Sequence, residues 1–300
     1  MEIILNPTPP FRLDLTAWAL RRRSINAIDR WDGTTYRRTL TLGGRTVEIA
    51  VTQIGSPDRP RLRVETSGAA LGDRAKAELI QHLERLLGLR VDLSDFYAFA
   101  RKDAQLAPLA NHFRGVKPPR FPSVFEGLVN GIACQQLSLT VGITLLNRLA
   151  EHFGAAAGGT RAFPRARDLA DQDAGALHAL GFSQHKAEAL LAVAKAAEDN
   201  SLDLEGLAAL DDESALQRLQ ALRGVGRWTA EYVLLRGLGR LHVFPGDDVG
   251  ARKSLAKWLG LEGALDYAGT QAVVDRWRPY AGLIYFHLLL HGLAEKENFA

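Results

Sequence analysis

The chain has 300 residues, of which 47% are hydrophobic, and it carries a formal net charge of +3. This composition supports sizeable hydrophobic cores and argues against a disordered chain, whereas the small positive charge permits a polyanionic partner without requiring one. The single cysteine, Cys134, excludes an internal disulfide and a four-cysteine zinc or iron–sulfur site.

The N-terminus, MEIILNPTPP, lacks the basic region that precedes the apolar stretch of a signal peptide. No apolar run in the sequence approaches the ~20 residues that a membrane-spanning helix needs. We therefore expect a cytoplasmic protein that has no membrane partner.

Short stretches rich in Thr, Val, Ile and aromatic residues occupy the first quarter of the chain, separated by glycine-containing turns. This pattern predicts a small antiparallel sheet. The predicted strands are 24–30, 34–42, 45–53 and 60–65. Helical patterns flank them at 13–22 and 74–87, and Asp14 and Asp73 lie near the helix starts, where a carboxylate could cap free amide groups.

After about Leu89 the chain becomes a series of amphipathic helical patterns, with apolar residues at three- and four-residue spacing. The predicted helices are 94–102, 122–137, 139–153, 166–171, 174–180, 184–198, 213–222, 227–237, 248–259, 267–276 and 280–293. The segment 154–160 is predicted to be a loop. The fold class is therefore α+β, with an N-terminal domain at 1–88, built from an antiparallel sheet and flanking helices, and an all-helical body at 89–300.

The segment 222–230, LRGVGRWTA, places Gly224 and Gly226 between two predicted helices. Glycine tolerates backbone conformations that other residues resist, and bare amides at a helix start favour an anion such as a phosphate. Leu222 and Val225 could anchor the turn to the core. An ordinary glycine-bounded connection between helices explains the same spacing, so the glycines alone leave both interpretations open.

The longer run LRGVGRWTAEYVLLRGLGRLHVFPGDD resembles the helix-hairpin-helix signature of base-excision DNA glycosylases. Within that superfamily the chain is most similar to the DNA-3-methyladenine glycosylase II (AlkA) type. The segments LNPTPPF, FEGLVNGIACQQLS and RWRPYAGLIYFHLLLH extend the resemblance over nearly the whole chain. It implies a two-lobed helical body with the hairpin at 219–230. We assign one lobe to about 113–230 and the other to 89–112 with 231–300.

The resemblance implies that Asp248 is catalytic. Rupture of an N-glycosidic bond builds positive charge on the sugar, which a fixed carboxylate stabilises, and the carboxylate could also orient or deprotonate the attacking water. Pro-Gly-Asp-Asp before a helix is equally typical of an N-cap. We assign catalysis to Asp248 and capping to Asp247.

Superfamily members that also cut the DNA strand use a lysine at the start of the second hairpin helix, where this chain has Trp228. The resemblance therefore implies a monofunctional hydrolase that leaves an abasic site. Tryptophan suits positively charged alkylated purines through cation–π stacking, although a core role for Trp228 remains the alternative. The expected pocket residues are Trp228, Tyr232, Trp18 and Leu289. Leu289 stands where the family has a second pocket tryptophan, and Trp18 lies beside the family's aromatic position at Ala19, so the pocket is expected to be less aromatic.

A flipped base leaves a gap in the stack, which the family fills with a side chain from a helix–turn edge. Gln136 stands at the matching position, and a solvated helix end is the alternative there. The expected DNA-binding residues are Gln135, Gln136, Leu137, Gly224, Val225, Gly226, Arg227, Thr229 and Arg252.

The family also binds a monovalent cation through hairpin carbonyls, and the matching positions are Gln220, Leu222 and Val225. Apart from this structural sodium or potassium ion, no cofactor is expected. His287 and His291 have zinc-ligand spacing but lack the glutamate of the corresponding motif, so neither zinc nor an iron–sulfur cluster is expected.

We therefore predict a monofunctional DNA glycosylase that flips alkylated purines, of the 3-methyladenine and 7-methylguanine type, out of duplex DNA in base excision repair. Its partner would be double-stranded DNA with damaged bases, bound by a monomer that is nucleoid-associated if the source is bacterial. One alternative is a glycosylase for deaminated or oxidised purines. Another is a non-catalytic helix-hairpin-helix DNA-binding protein, which would gain nothing from a buried anion at Asp248 facing phosphates.

Overall fold

The computed structural model describes residues 1–68 and 70–297. In this part of the chain, no helix combines the length and hydrophobicity required to cross a bilayer. The N-terminal region forms a five-stranded antiparallel sheet in the order β1-β5-β4-β3-β2. Its strands are β1 (Glu2–Leu5), β2 (Arg30–Trp31), β3 (Thr35–Leu42), β4 (Arg45–Gln53) and β5 (Leu62–Thr66). The α+β class is confirmed.

The predicted strand 24–30 is wrong, because only Arg30 belongs to the two-residue strand β2. The Asn26 side chain accepts hydrogen bonds from the amides of Ile28 and Asp29, and this local turn competes with strand pairing. The edge strand β1, which pairs with β5, was not predicted. A second small hairpin, β6 (Ala156–Ala157) with β7 (Thr160–Arg161), occupies the predicted loop.

Fourteen α-helices are present in the described residues. They are α1 (Leu13–Arg21), α2 (Asp73–Leu87), α3 (Ser94–Ala100), α4 (Leu106–His112), α5 (Val124–Cys134), α6 (Leu139–Phe153), α7 (Ala166–Leu169), α8 (Ala174–Ala179), α9 (Gln184–Glu198), α10 (Asp212–Gln220), α11 (Arg227–Val233), α12 (Val249–Leu259), α13 (Tyr267–Val274) and α14 (Ala281–Glu297). Short 3-10 helices lie at Glu205–Ala209 and Asp275–Trp277, and α11 continues as a π-helical turn, Leu234–Leu238. Helix α4 was not predicted, because Pro108 interrupts its sequence pattern.

The predicted caps at Asp14 and Asp73 are wrong. The N-caps of α1 and α2 are Arg12 and Gly72, and neither makes a side-chain cap hydrogen bond. The first free amide of α1 donates instead to the Gln53 side chain of β4, at 2.8 Å. Helix α1 is therefore capped by the sheet, through a contact that the local sequence cannot reveal.

Three hydrophobic clusters organise the molecule, and α1 contributes to two of them. Leu13, Ala17 and Leu20 join the core between the sheet and α2, whereas Leu15 and Ala19 face the core of α3, α4, α13 and α14. The third cluster is built around α5, α6 and α9. The two faces of α1 thus attach the sheet to the helical body.

A buried ion network provides a second attachment. The Arg38 guanidinium of β3 contacts the Asp29 carboxylate at 2.7 Å and donates to both carboxylate oxygens of Glu126 in α5, at 2.5 and 2.7 Å. All three side chains are buried. Burial raises the pKa of Glu126, and the Arg38 charge acts in the opposite direction. Removing one partner would leave an uncompensated charge in the interior, so the network fixes the position of α5 against the sheet.

Candidate active site

A cleft with a volume of about 1230 Å³ lies where the turn after α5, the α10–α11 connection, the start of α12 and the face of α14 converge. Most of the residues predicted for the site line this cleft. They are Gln135, Gln136, Leu137, Gln220, Leu222, Gly224, Val225, Gly226, Arg227, Trp228, Thr229, Tyr232, Asp248 and Leu289.

Trp18 and Arg252 are the two predicted site residues that do not line the cleft. The expectation of a pocket role for Trp18 is corrected by the structure: its side chain is buried in the core shared with Leu15 and Ala19, and the Arg21 guanidinium lies over its ring. Arg252 lies in the first turn of α12, where the next residue, Lys253, lines the cleft instead.

The α10–α11 connection depends on its two glycines for different reasons. Gly224 has a φ of +77°, and a Cβ there would lie 2.5 Å from the Cβ of Ala189 in α9. Gly226 is the N-cap of α11, and a Cβ there would meet no atom of the described residues within 4 Å. Gly224 is therefore required by backbone geometry and packing, whereas Gly226 leaves space open toward the cleft.

Helices α5 and α11 approach closely beside this connection. A Cβ at Gly131 would lie 2.7 Å from the Thr229 side chain. The Gln135 side-chain nitrogen donates to the Gly224 carbonyl at 2.8 Å and to the Thr229 hydroxyl at 2.7 Å. Gln135 was predicted to contact DNA. Its side-chain nitrogen is instead engaged inside the protein, where it holds the turn after α5 against the hairpin.

That turn ends α5 earlier than predicted, at Cys134 instead of residue 137. Gln136 adopts a left-handed conformation with a φ of +53°, and the Lys186 ammonium holds the preceding chain by binding the carbonyls of Ala133 and Gln135 at 2.9 and 2.7 Å. Gln136 and Leu137 are consequently exposed at the tip, with Leu137 42% exposed.

Asp248 is the N-cap of α12, and both of its oxygens are engaged. Oδ1 accepts from the Ala251 amide at 2.9 Å, whereas Oδ2 accepts from the Trp228 indole at 3.2 Å and from the Tyr285 hydroxyl at 3.0 Å. The assignment of the cap to Asp247 is wrong, because Asp247 pairs with Arg227 at 2.7 Å. Three donors, one of them an amide of the α12 N-terminus, therefore hold one carboxylate at the cleft.

The loop that carries Asp248 is held in place by Glu231 of α11. This buried carboxylate accepts from the Gly246 amide at 3.0 Å and from the Tyr267 hydroxyl at 2.7 Å. Burial raises the pKa of Glu231, and burial together with Glu231 raises the pKa of Tyr267 to about 12. The Arg227 guanidinium covers the Tyr267 ring at 3.7 Å.

An aromatic pair forms one wall of the cleft. The Trp228 and Tyr232 rings are stacked, with centroids 5.4 Å apart and planes 26° apart. The Tyr232 hydroxyl accepts a hydrogen bond from Arg22 at 3.0 Å, and Arg22 also donates to Asn130 at 2.7 Å. Arg22 and the buried Arg236 both line the cleft.

Sequence reasoning missed four of these residues: Arg22, Glu231, Arg236 and Tyr285. Two had a usable signal, because Arg236 lies one helical turn after Tyr232 and Tyr285 lies one turn before Leu289. Arg22 and Glu231 had none, since their partners come from elements distant in sequence.

The three carbonyl oxygens proposed to bind a monovalent cation are of a ligand type that suits such an ion. Gln220 ends α10, where carbonyls lack helical partners, and Leu222 and Val225 line the cleft beside it. The Leu222 carbonyl accepts from the Val225 amide at 3.1 Å, which leaves it a second lone pair. No group of three or more His, Cys, Asp and Glu side chains suited to a metal occurs within residues 1–68 and 70–297.

His287 is fully buried between Phe96 and Phe113 and contacts the Leu283 carbonyl through Nδ1 at 2.7 Å. Burial lowers the pKa of His287 to about 4. This histidine is part of the core of α14.

Comparison with known proteins gives two adjoining family matches. A model described as HhH-GPD superfamily base excision DNA repair protein matches residues 129–279, and a model described as AlkA N-terminal domain matches residues 2–123.

Individual relatives match over most of the chain. DNA-3-methyladenine glycosylase 2 of Escherichia coli is 27% identical over 288 residues, which cover 95% of each protein. A DNA-3-methyladenine glycosylase of Bacillus subtilis is 30% identical over 184 residues, covering 60% of this chain and 61% of that protein. The solved 3-methyladenine DNA-glycosylase from Archaeoglobus fulgidus has a TM-score of 0.84 at 26% identity, covering 96% of this chain and 98% of the other.

Proposed function

The chain belongs to the HhH-GPD superfamily of base excision DNA repair proteins, and from this we propose that it is a monofunctional DNA glycosylase for alkylated purines. It flips the damaged base out of duplex DNA, hydrolyses the N-glycosidic bond and leaves an abasic site. The 3-methyladenine glycosylase relatives support the substrate class. The observation that carries the proposal is the Asp248 carboxylate, which three donors hold in the cleft beside the hairpin and the aromatic pair.

Asp248 acts on the sugar of the flipped nucleotide. As the C1′–N bond breaks, positive charge develops on the sugar, and a fixed carboxylate stabilises it without having to reorganise. Water adds to C1′, and Asp248 orients that water and accepts its proton. Since Ala251, Trp228 and Tyr285 already fix the carboxylate, little of this geometry has to form during the reaction.

The absence of a lyase step is proposed from the identity of residue 228. A Schiff base needs an amine at the sugar, and the indole of Trp228 offers none at the start of α11. Lys253 is the one lysine among the cleft residues in the described part of the chain, and it lies near the start of α12 rather than on the hairpin. Borohydride trapping with the wild type and Lys253→Ala would expose any imine formed there.

Duplex DNA is held through its backbone and opened by the tip after α5. The amides around Gly226 and the Arg227 guanidinium contact phosphates, which fixes position without reading sequence. Gln136 and Leu137 enter the gap that the flipped base leaves. A monovalent cation on the carbonyls of Gln220, Leu222 and Val225 would add positive charge beside a phosphate. The protein acts as a monomer.

The test is base release from methylated duplex DNA. We expect wild-type protein to release 3-methyladenine and 7-methylguanine and to leave abasic sites without strand cleavage. Asp248→Asn should lose several orders of magnitude in rate while still binding DNA. DNA binding by both proteins without release of any base would contradict the proposed function.

A further inference from the structure

Two buried arginines form the floor of the cleft behind the aromatic pair. Arg22 and Arg236 are 4% and 1% exposed, and both line the cleft. Neither forms an ion pair with an acidic residue in the described part of the chain. Asp29 acts on both charges, but its carboxylate is already paired with Arg38 at 2.7 Å.

The hydrogen-bonding capacity of these guanidinium groups is not used up inside the protein. Arg22 donates to Tyr232 and Asn130, but its Nε has no partner among the described residues. Arg236 donates to the Ala19 carbonyl at 2.8 Å, whereas its Nε and Nη1 have no partner in residues 1–68 and 70–297. A buried donor without an acceptor is destabilising, so these atoms favour a ligand that brings acceptors into the cleft.

The aromatic faces that would attract a cationic base are partly occupied by the protein's own cations. The Arg236 guanidinium lies over the Phe121, Tyr232 and Phe286 rings at 5.0, 5.6 and 5.5 Å. Trp228 stacks on Tyr232 as well, which leaves the outer face of Trp228 for a base. Leu289 also lines the cleft, and its aliphatic side chain has no ring quadrupole.

The charge balance in the cleft points the same way. Both arginines line the same cleft as Asp248, and both act electrostatically on the Tyr285 hydroxyl, which donates a hydrogen bond to that carboxylate. The two buried positive charges of Arg22 and Arg236, set against the half-buried carboxylate of Asp248, disfavour a base that is itself positive. They favour a base that is neutral and presents a carbonyl oxygen or an imine nitrogen.

We propose that Arg22 and Arg236 make this protein select neutral alkylated bases with an acceptor edge, of which a cyclic etheno adduct of adenine is the model, over cationic methylated purines. This rests on the proposed function. When the bond to a neutral base breaks, its electron pair stays on the base nitrogen, and the guanidinium groups stabilise that negative charge until a proton arrives from solvent. Cationic purines still leave, because their glycosidic bond is weak, but they bind less well.

The experiment measures binding separately from chemistry, with duplexes whose lesion carries a 2′-fluoro sugar that resists hydrolysis. One duplex holds ethenoadenine and the other 7-methylguanine, and dissociation constants are measured for wild type, Arg22→Met, Arg22→Lys and Arg114→Met. Arg114 is the control, because its exposed side chain pairs with Asp58 and does not line the cleft.

We expect the wild type to bind the neutral lesion more tightly than the cationic one, and Arg22→Met to reduce that ratio by about tenfold. Arg22→Lys keeps the charge, so it should still disfavour the cationic lesion if Arg22→Met does not fold. Arg114→Met should leave the ratio unchanged. An equal affinity of the wild type for both lesions, or a ratio that Arg22→Met leaves unaltered, overturns the proposal.

Base release from the corresponding cleavable duplexes separates this proposal from the proposed function. If bases are released but the neutral and cationic lesions bind equally well, the glycosylase function stands and the role of the two arginines is rejected. If the two lesions bind with different affinities but neither base is released, the glycosylase function is rejected and the role of the arginines stands.

Discussion

The Tyr285 hydroxyl donates a 3.0 Å hydrogen bond to Oδ2 of Asp248. Burial, followed by the charge of Asp248, raises the pKa of Tyr285 well above its usual value, so the phenol keeps its proton and remains a donor throughout the neutral range. The Trp228 indole reaches the same oxygen from the hairpin at 3.2 Å. The carboxylate is thus fixed between α11 and α14, which belong to different parts of the helical body.

Tyr285→Phe tests Tyr285 as a positioning residue. We expect kcat for base release to fall about tenfold with little change in KM, because the carboxylate loses one donor while the DNA surface is unaltered. Tyr280→Phe is the matched control, since Tyr280 does not line the cleft. A large rise in KM for Tyr285→Phe, or an equal fall in kcat for both variants, would contradict a positioning role.

Gly224→Ala should destabilise the fold by about 2 kcal/mol or more, because the new Cβ adopts an unfavourable φ and collides with Ala189. Adding Ala189→Gly should restore part of the loss, since it relieves the collision but not the backbone strain. Gly226→Ala should fold normally and weaken DNA binding, because its Cβ projects into open space. Denaturant unfolding and DNA affinity, measured on the wild type and these three variants, distinguish the effects. Equal destabilisation by both single variants would contradict this assignment.

Leu137→Ala should slow base flipping without affecting stability, because the side chain is 42% exposed at the tip of the turn after α5. Single-turnover release and the fluorescence of 2-aminopurine beside the lesion report this step. Val141→Ala is the control: Val141 is 46% exposed, lies on the neighbouring helix α6 and does not line the cleft. Similar effects of the two variants would show that Leu137 does not enter the duplex.

Stability should decrease on acidification because of His287. Burial holds the pKa of His287 at about 4 in the folded protein, against a usual value of 6.5. The unfolded chain therefore binds the proton first, and this contribution is complete above pH 6.5 and is lost as pH falls to 4. The expected loss is roughly 3 kcal/mol. His287→Phe should remove that part of the pH dependence of the unfolding free energy, measured by denaturant titrations between pH 7 and 4. If the unfolding free energy of the variant falls with pH as steeply as that of the wild type, the prediction is contradicted.

Much of the helical body was predictable, because buried apolar faces repeat with the helical period. Helices α6 and α9 begin and end where the sequence pattern predicted. The failures have local or long-range causes. Asn26 replaces a strand with a turn through its own side chain, and the α1 start is satisfied by Gln53 rather than by Asp14.

The cleft was predictable where a contiguous motif describes it. The hairpin glycines, Trp228 and Asp248 lie within one segment, and the structure brings them together. The resemblance also predicted a pocket role for Trp18. This residue lies in the core, because the face of α1 that carries it packs with residues of α3 and α14. Arg22 could not be assigned from sequence, since its partner Tyr232 is far along the chain and the two meet only in the folded protein.

The two-sided packing of α1 has a consequence for cooperativity. Because Leu13, Ala17 and Leu20 complete one core while Leu15 and Ala19 complete another, a fragment that begins after this helix would expose apolar surface in the helical body. Melting of the sheet would likewise release α1 and, with it, the Arg22 that borders the cleft. We therefore expect the N-terminal region to unfold together with the body in one transition, without a core of the body that outlasts the sheet on heating.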